Sequence, residues 1–243
     1  MIINNNQSRY NNTFTSLRIP VKSFDVKTSG EVLHFSEVNY KHIPKNSFYK
    51  KLAEFFLENF ANTSGHPFWT KCRKPTLDEA VYNDYIKGMA KNYKSSINNP
   101  YTTIMLAKNK SKKIVAAIFA RPLRETSKIK DSGTLYVDSI AVAPEYRGSN
   151  IGYELLNRLM NTSKKRFTDV FLVAYKESQP FYEKLGFRPM SLYRNDSERF
   201  VIEEMAKERK DYPQFAEFMT KFIYEKGCFD WCSRINFRNI PKD

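Results

Sequence analysis

Between Ser47 and Phe60 the apolar residues Phe48, Leu52, Phe55, Phe56 and Phe60 recur three and four apart. That spacing puts them on one stripe of an α-helix, with Ser47 in place as its N-cap. Leu77–Tyr93 repeats the pattern, with Ala80, Tyr85, Ile86 and Met89 on the apolar side. After Pro100 the period falls to two, and Thr102–Ala107, Ile114–Leu123 and Thr134–Val142 read as strands. The charged run Lys108–Lys113 makes a hairpin turn between the first two. Glu31–Tyr40 alternates well enough to be an earlier strand. Residues 1–30 are polar and Asn-rich, and read as an arm without regular structure.

Beyond Val142 a turn rich in small residues leads into a helix over Tyr153–Ser163, with Leu155, Leu156 and Leu159 buried. Val170–Ala174 is short and continuously apolar, as a central strand should be. Gln179–Leu185 reads as a short helix closed by Gly186, a residue that tolerates the left-handed conformation a helix end requires. Phe187–Tyr193 and Phe200–Met205 read as the last strands. Ala206–Asp243 reads as one more helix, carrying Phe215, Phe218, Met219, Phe222 and Ile223, with an irregular end. This order of elements predicts an α/β (α+β) fold, a mixed sheet with flanking helices. The expected division is an arm over 1–30, one domain over 31–205 and a helical extension over 206–243.

Composition narrows the class. Of 243 residues, 41% are hydrophobic and 15% aromatic, which supplies a real core and excludes wholesale disorder. No run approaches the ~18 apolar residues of a membrane helix, and the first residues lack a signal peptide's apolar core. Cys72, Cys228 and Cys232 are too few and too uneven for a disulfide framework. A cytoplasmic chain with structural thiols and no metal site is the expectation. Its net charge is +14, and Lys108–Lys130 holds eight basic residues (Lys108, Lys110, Lys112, Lys113, Arg121, Arg124, Lys128, Lys130) against the single acid Glu125. Such a cluster is either a solvated rim or the docking face for a polyanion.

The sharpest chemical signal is the turn after Val142, Ala143-Pro-Glu-Tyr-Arg-Gly-Ser-Asn-Ile-Gly152. A helix start leaves backbone N–H groups without acceptors and carries partial positive charge. Small residues there let an anion approach the backbone, and Arg147 adds formal charge. The turn is therefore suited to bind a phosphate, with an ordinary strand-to-helix connection as the open alternative. It is neither a Walker loop nor a dinucleotide fingerprint.

Two motifs in this order resemble the Gcn5-related N-acetyltransferases (GNAT family). Arg147-Gly-Ser-Asn-Ile-Gly152 matches that family's coenzyme A pyrophosphate loop, Arg/Gln-x-x-Gly-x-Gly/Ala. Pro180-Phe-Tyr-Glu-Lys-Leu-Gly-Phe187 matches its closing helix and turn. The resemblance covers about Ile104 to Met205. It implies a mostly antiparallel, twisted sheet splayed at the cofactor site, and acetyl-CoA as the cofactor with coenzyme A as product. Ile140, Ala141 and Val142 would pair with the pantetheine arm. Arg147 and the loop Gly148, Ser149, Asn150, Ile151, Gly152 and Tyr153 would hold the pyrophosphate. Asn150 stands where the family usually has its central glycine, and Asn enters the left-handed region at small cost.

The same resemblance gives Tyr182 the role of the acid that protonates the departing thiol, against a packing role in which its hydroxyl only hydrogen-bonds the sulfur. Asp138 lies four residues before Val142, so strict alternation puts it on one strand face with Tyr136 and Ile140. It is a candidate general base, with a structural hydrogen-bonding role equally open. Tyr136 and His66 are weaker candidates near the acceptor. The implied activity is acetyl transfer to a primary amine, by direct attack on the thioester. A protein-borne or RNA-linked acceptor would account for the basic charge. The competing reading is a non-catalytic module of the same fold that binds nucleic acid or ribonucleoprotein through its basic surface.

Overall fold

The computed structural model describes residues 24–28, 31–38, 44–61, 77–123, 133–174, 178–189, 210–214, 217 and 231–236. The strands are β1 (Phe24–Thr28), β2 (Glu31–Val38), β3 (Thr103–Lys108), β4 (Ile114–Pro122), β5 (Thr134–Val142), β6 (Asp169–Ala174), β7 (Arg188–Pro189) and β8 (Trp231–Asn236). The helices are α1 (Asn46–Ala61), α2 (Glu79–Ser96), α3 (Ile151–Ser163) and α4 (Gln179–Lys184). All eight strands join one sheet in the order β1-β2-β3-β4-β5-β6-β8-β7. Every neighbouring pair is antiparallel except β5 and β6. The mixed sheet expected from the sequence is present.

Helices cover the two faces of this sheet. On one face lie α1 and α2, and Tyr93 of α2 links Phe56 of α1 (ring centroids 6.0 Å apart) to Phe119 of β4 (4.8 Å). Phe56, Tyr93 and Phe119 are all fully buried. On the other face Leu155, Leu156 and Leu159 of α3 pack with Ile118, Val137 and Leu172. Alternation along β4 makes both layers possible, since Ala116, Ile118 and Ala120 face α3 while Ala117 and Phe119 face α1 and α2.

Several expectations change. Phe24–Thr28, read as part of an arm, forms a hairpin with β2, with Phe24 opposite Phe35 and Thr28 opposite Glu31. It is too short to show a period. Ser47 sits inside the first turn of α1, which begins at Asn46. α2 starts two residues later than expected because the Asp78 carboxylate accepts from the backbone N–H groups of Ala80 (2.8 Å) and Val81 (3.2 Å). Ala80 is consequently exposed in the first turn and takes no part in the apolar face. Trp231–Asn236, read as an irregular end, is the strand between β6 and β7. The expected strand Phe200–Met205 and the apolar positions of the expected last helix lie outside the described residues. Among the described residues, no helix is long and apolar enough to cross a membrane.

Residues 210–214 dock on α2. Gly88 faces them, and a Cβ built there would stand 2.5 Å from the Asp211 carbonyl oxygen and 2.5 Å from the Tyr212 ring. Glycine inside a helix sacrifices ~0.5–1 kcal/mol relative to alanine, and here that loss makes room for a buried Tyr212. Lys91 pairs with Asp211, and the Gln214 N–H donates to Asp84 at 2.9 Å. Lys91 is largely exposed, so its pair contributes little. Gly88→Ala is expected to lower unfolding free energy by ~1–3 kcal/mol, the usual range for overpacking, while Lys91→Ala lowers it by less than ~1 kcal/mol. Urea denaturation of both variants measures the difference, and equal losses would mean that the ion pair, not the packing, holds this segment.

Candidate active site

The site begins where two strands separate. β5 and β6 pair from Thr134↔Asp169 to Val137↔Leu172 and no further, although β5 runs on to Val142 and β6 to Ala174. The break coincides with a bulge in the β4–β5 ladder, where Phe119 faces Ser139 and Ala120 faces Val137, leaving Asp138 as the extra residue. A bulge bends its strand and sharpens the local twist. β5 therefore follows β4 away from β6, and β6 is held on its other edge by β8 over all six of its residues. Past the bulge, the Ala143 N–H donates to Val115 of β4. Successive residues point their backbone groups to opposite strand edges, so those of Ile140 and Val142 face the gap.

The bulge also corrects the face assigned to Asp138. Ile140 and Val142 pack with the α3 layer, as do Leu135 and Val137, while Ala141 and Ala143 belong to the α1–α2 layer. The side-chain alternation flips at Asp138, and Tyr136 and Ile140 lie on opposite faces. A strict period of two cannot register an inserted residue.

At the C-terminal end of β5 the chain makes a 3-10 turn, Pro144–Tyr146, then the loop into α3. Gly148 (φ +79°) and Asn150 (φ 60°, ψ 9°) both adopt the left-handed conformation. Asn150 thus does the backbone work expected of a glycine. Its side chain does not cap α3, so the first-turn N–H groups of the helix keep their donors available. A Cβ on Gly148 would meet nothing within 4 Å. The loop is anchored behind by Tyr146, whose hydroxyl donates to Glu31 at 2.8 Å. Arg147 folds back, its Nε donating to the Val142 carbonyl at 3.1 Å. Ser149 does not line the cleft, because its hydroxyl turns inward to the Tyr146 carbonyl.

Opposite this loop stands α4. Tyr182 is 7% exposed, held edge-on between Phe181 (5.1 Å) and Phe187 (5.7 Å). Burial pushes its phenol well above the usual tyrosine range, so it carries its proton at any working pH. Gly152 of α3 faces Phe181 and Val142, and a Cβ there would lie 3.6 and 3.5 Å from them.

These parts enclose one cleft of about 490 Å³. The sequence-derived residues Asp138, Ile140, Ala141, Val142, Arg147, Gly148, Asn150, Ile151, Gly152, Tyr153 and Tyr182 all line it. Sequence reasoning missed Tyr146 and Phe181, though both sit inside the quoted motifs, and Asn59 and Phe60 at the end of α1, where the helical period marks Phe60 only as core. Asp138 is engaged: Arg121 donates to its Oδ2 from Nη2 (2.9 Å) and Nε (3.1 Å), and the Ser139 hydroxyl donates to Oδ1 (3.0 Å). Arg121 is 3% exposed, so it leaves the basic cluster to which its charge had assigned it. Arg124, Lys128 and Lys130 of that cluster, and His66, lie outside the described residues. Among the described residues, no group of His, Cys, Asp and Glu could hold a metal ion.

Comparison with known proteins agrees with this geometry. The model of the acetyltransferase (GNAT) family matches residues 60–187. Glucosamine 6-phosphate N-acetyltransferase of Trypanosoma brucei brucei is 41% identical over 54 residues, a match that spans 22% of this chain and 37% of that protein. A GNAT-family acetyltransferase structure from Desulfovibrio desulfuricans aligns over 84% of this chain and 99% of its own, at 12% identity and a TM-score of 0.50. The PaiA N-acetyltransferase of Thermoplasma acidophilum, solved with coenzyme A, aligns over 83% of this chain and 98% of its own, at 13% identity and a TM-score of 0.49. The chain belongs to the GNAT acetyltransferase family. Acetyltransferases of this family use acetyl-CoA as cofactor.

The residues present fit that cofactor. A pyrophosphate needs clustered N–H donors that backbone can bring close, which the left-handed turn and the start of α3 offer. An amide-bearing arm needs an open strand edge, which β5 offers past Val137. Gly152→Asp is expected to abolish acetyl-CoA binding, since it sets a carboxylate beside these donors, whereas Gly152→Ala, at ordinary contact distances, should fold and bind. Titration calorimetry on both variants checks this, and binding by the Asp variant would move the phosphate site elsewhere.

Proposed function

We propose that this enzyme transfers the acetyl group of acetyl-CoA to a primary amine by direct attack on the thioester. One observation carries the reading. The parted strands join, in a single cleft, the donor-rich turn at one side and the protonated hydroxyl of Tyr182 at the other. When bound, acetyl-CoA supplies the activated acetyl thioester. The N–H groups from Gly148 to Tyr153 would hold its pyrophosphate, and Ile140 and Val142 would pair with its pantetheine arm.

Tyr182 keeps a proton at Oη and offers it to the sulfur. The thiol released resembles that of cysteine, with a pKa of about 8.5, so it needs only modest help to depart. Asp138 lies on the cleft wall at the bulge, where its carboxylate can accept a hydrogen bond from the incoming amine. The two groups serve opposite needs, one giving and one receiving, as acid–base chemistry on a single site requires.

Acetyl-CoA should raise thermal stability, by ~2.7 kcal/mol at a hundred times its dissociation constant, and thiol release across an amine panel should identify acceptors. No binding at millimolar acetyl-CoA would overturn the assignment. Tyr182→Phe should lower turnover ~10- to 1000-fold, at or just below the usual worth of an acid–base group, with acetyl-CoA affinity nearly intact. Because its phenol is shifted upward, the wild-type pH–rate profile should show no falling limb from Tyr182 below about pH 10. Unchanged turnover in the Phe variant would reduce Tyr182 to packing.

A further inference from the structure

The geometry points to Arg121 as a positioning residue for acceptor recognition, fixing the Asp138 carboxylate at the mouth of the parted strands. This rests on the reading of Asp138 as the group that meets the amine.

The inference starts from a guanidinium in an unfavourable place. Arg121 is 3% exposed on β4, in the middle of the sheet, and its side chain lies over the Tyr136 ring at 5.0 Å from the centroid. Tyr136 is itself backed by Phe171 of β6 at 5.7 Å, across the next-to-last paired rung before the strands part. Burying a charge here forfeits hydration, and an apolar pair in place of both Arg121 and Asp138 would often be as stable or more so. The pair must therefore be explained by what it holds in place.

What it holds is one oxygen of Asp138. Nε and Nη2 both converge on Oδ2, so that oxygen is pinned by two charge-assisted hydrogen bonds. Oδ1 receives the Ser139 hydroxyl and retains accepting capacity. Asp138 is also the residue inserted by the bulge, released from strand alternation at the point where β5 leaves β6. Without Arg121 nothing in the strand's own geometry would fix its direction. An ammonium or amine entering the cleft would meet an acceptor already oriented, its charge balanced from behind.

The test compares Arg121→Lys, Arg121→Gln, Asp138→Asn and the double variant Arg121→Gln/Asp138→Asn, the last leaving no uncompensated buried charge. Arg121→Lys and Arg121→Gln should raise the KM for the amine or lower kcat/KM for it by ~10- to 100-fold, as small misplacements of a reacting group do. Acetyl-CoA affinity by calorimetry should stay within about twofold. In the Asp138→Asn background, Arg121→Gln should bring no further loss. Multiplicative losses in the double variant, or a folded Arg121→Gln protein with unaltered use of the amine, would overturn the inference. A crystal structure of Arg121→Gln gives a reading independent of turnover. The Asp138 carboxylate should have left its position in the cleft, and an unmoved carboxylate would overturn the inference. Absence of thiol release by the wild-type protein on every amine would instead strike the proposed function, and the crystal structure would still decide the role of Arg121.

Discussion

Everything distinctive about the site follows from a single insertion in a ladder. With Asp138 unpaired, β5 keeps its partnership with β4 and gives up its partnership with β6 after Val137. Two half-sheets then diverge from a shared hinge, each braced on its outer edge. Backbone groups that would have paired are left facing a gap, which an exposed loop could not offer with such fixed spacing. The left-handed turn and α3 stand at the end of one half-sheet, α4 beside the end of the other. In the function proposed above, cofactor binding falls mainly to main-chain geometry, while the side chains of Tyr182 and Asp138 would serve the acid–base step.

The elements were legible where their residues spoke locally. Both long helices, the β3–β4 hairpin, β5, α3 and β6 follow from period, apolar runs and punctuation, because each buries apolar side chains against one core layer or both. The turn was legible for a different reason: the left-handed positions Gly148 and Asn150 demand particular residue types. Pairing information was not legible. β1 is five residues long and depends on β2 for its existence. β8 acquires its identity only by lying between β6 and β7. The bulge is a relation between two strands, so Asp138 could be named as a candidate and placed beside Tyr136 while its grouping with Ile140 was wrong.

Charge was the least reliable guide. Arg121 counts toward a basic surface in any tally, yet it is enclosed in the sheet and bound to Asp138. Lys113 reaches Glu145, an exposed contact at 3.9 Å that contributes little. A linear count registers how many cations a segment has and says nothing of which are spent internally. The electrostatics that bear on catalysis here are short-ranged and partly enclosed, at distances where geometry outweighs net charge.

The position of β8 has a consequence for the order of events during synthesis. β6 emerges some thirty residues after the bulge, but its second neighbour arrives only after about sixty more have been made. Until then one edge of a continuously apolar strand stands open, the kind of edge that recruits other chains. Closing so long a loop adds only slowly to the entropic barrier, but it delays a non-local pairing and slows folding. The half-sheet that carries Tyr182 is therefore completed late. Nascent or truncated chains lacking Trp231–Asn236 would present a sticky margin to their neighbours, and the failure of such chains would be seen as aggregation before it was seen as lost chemistry.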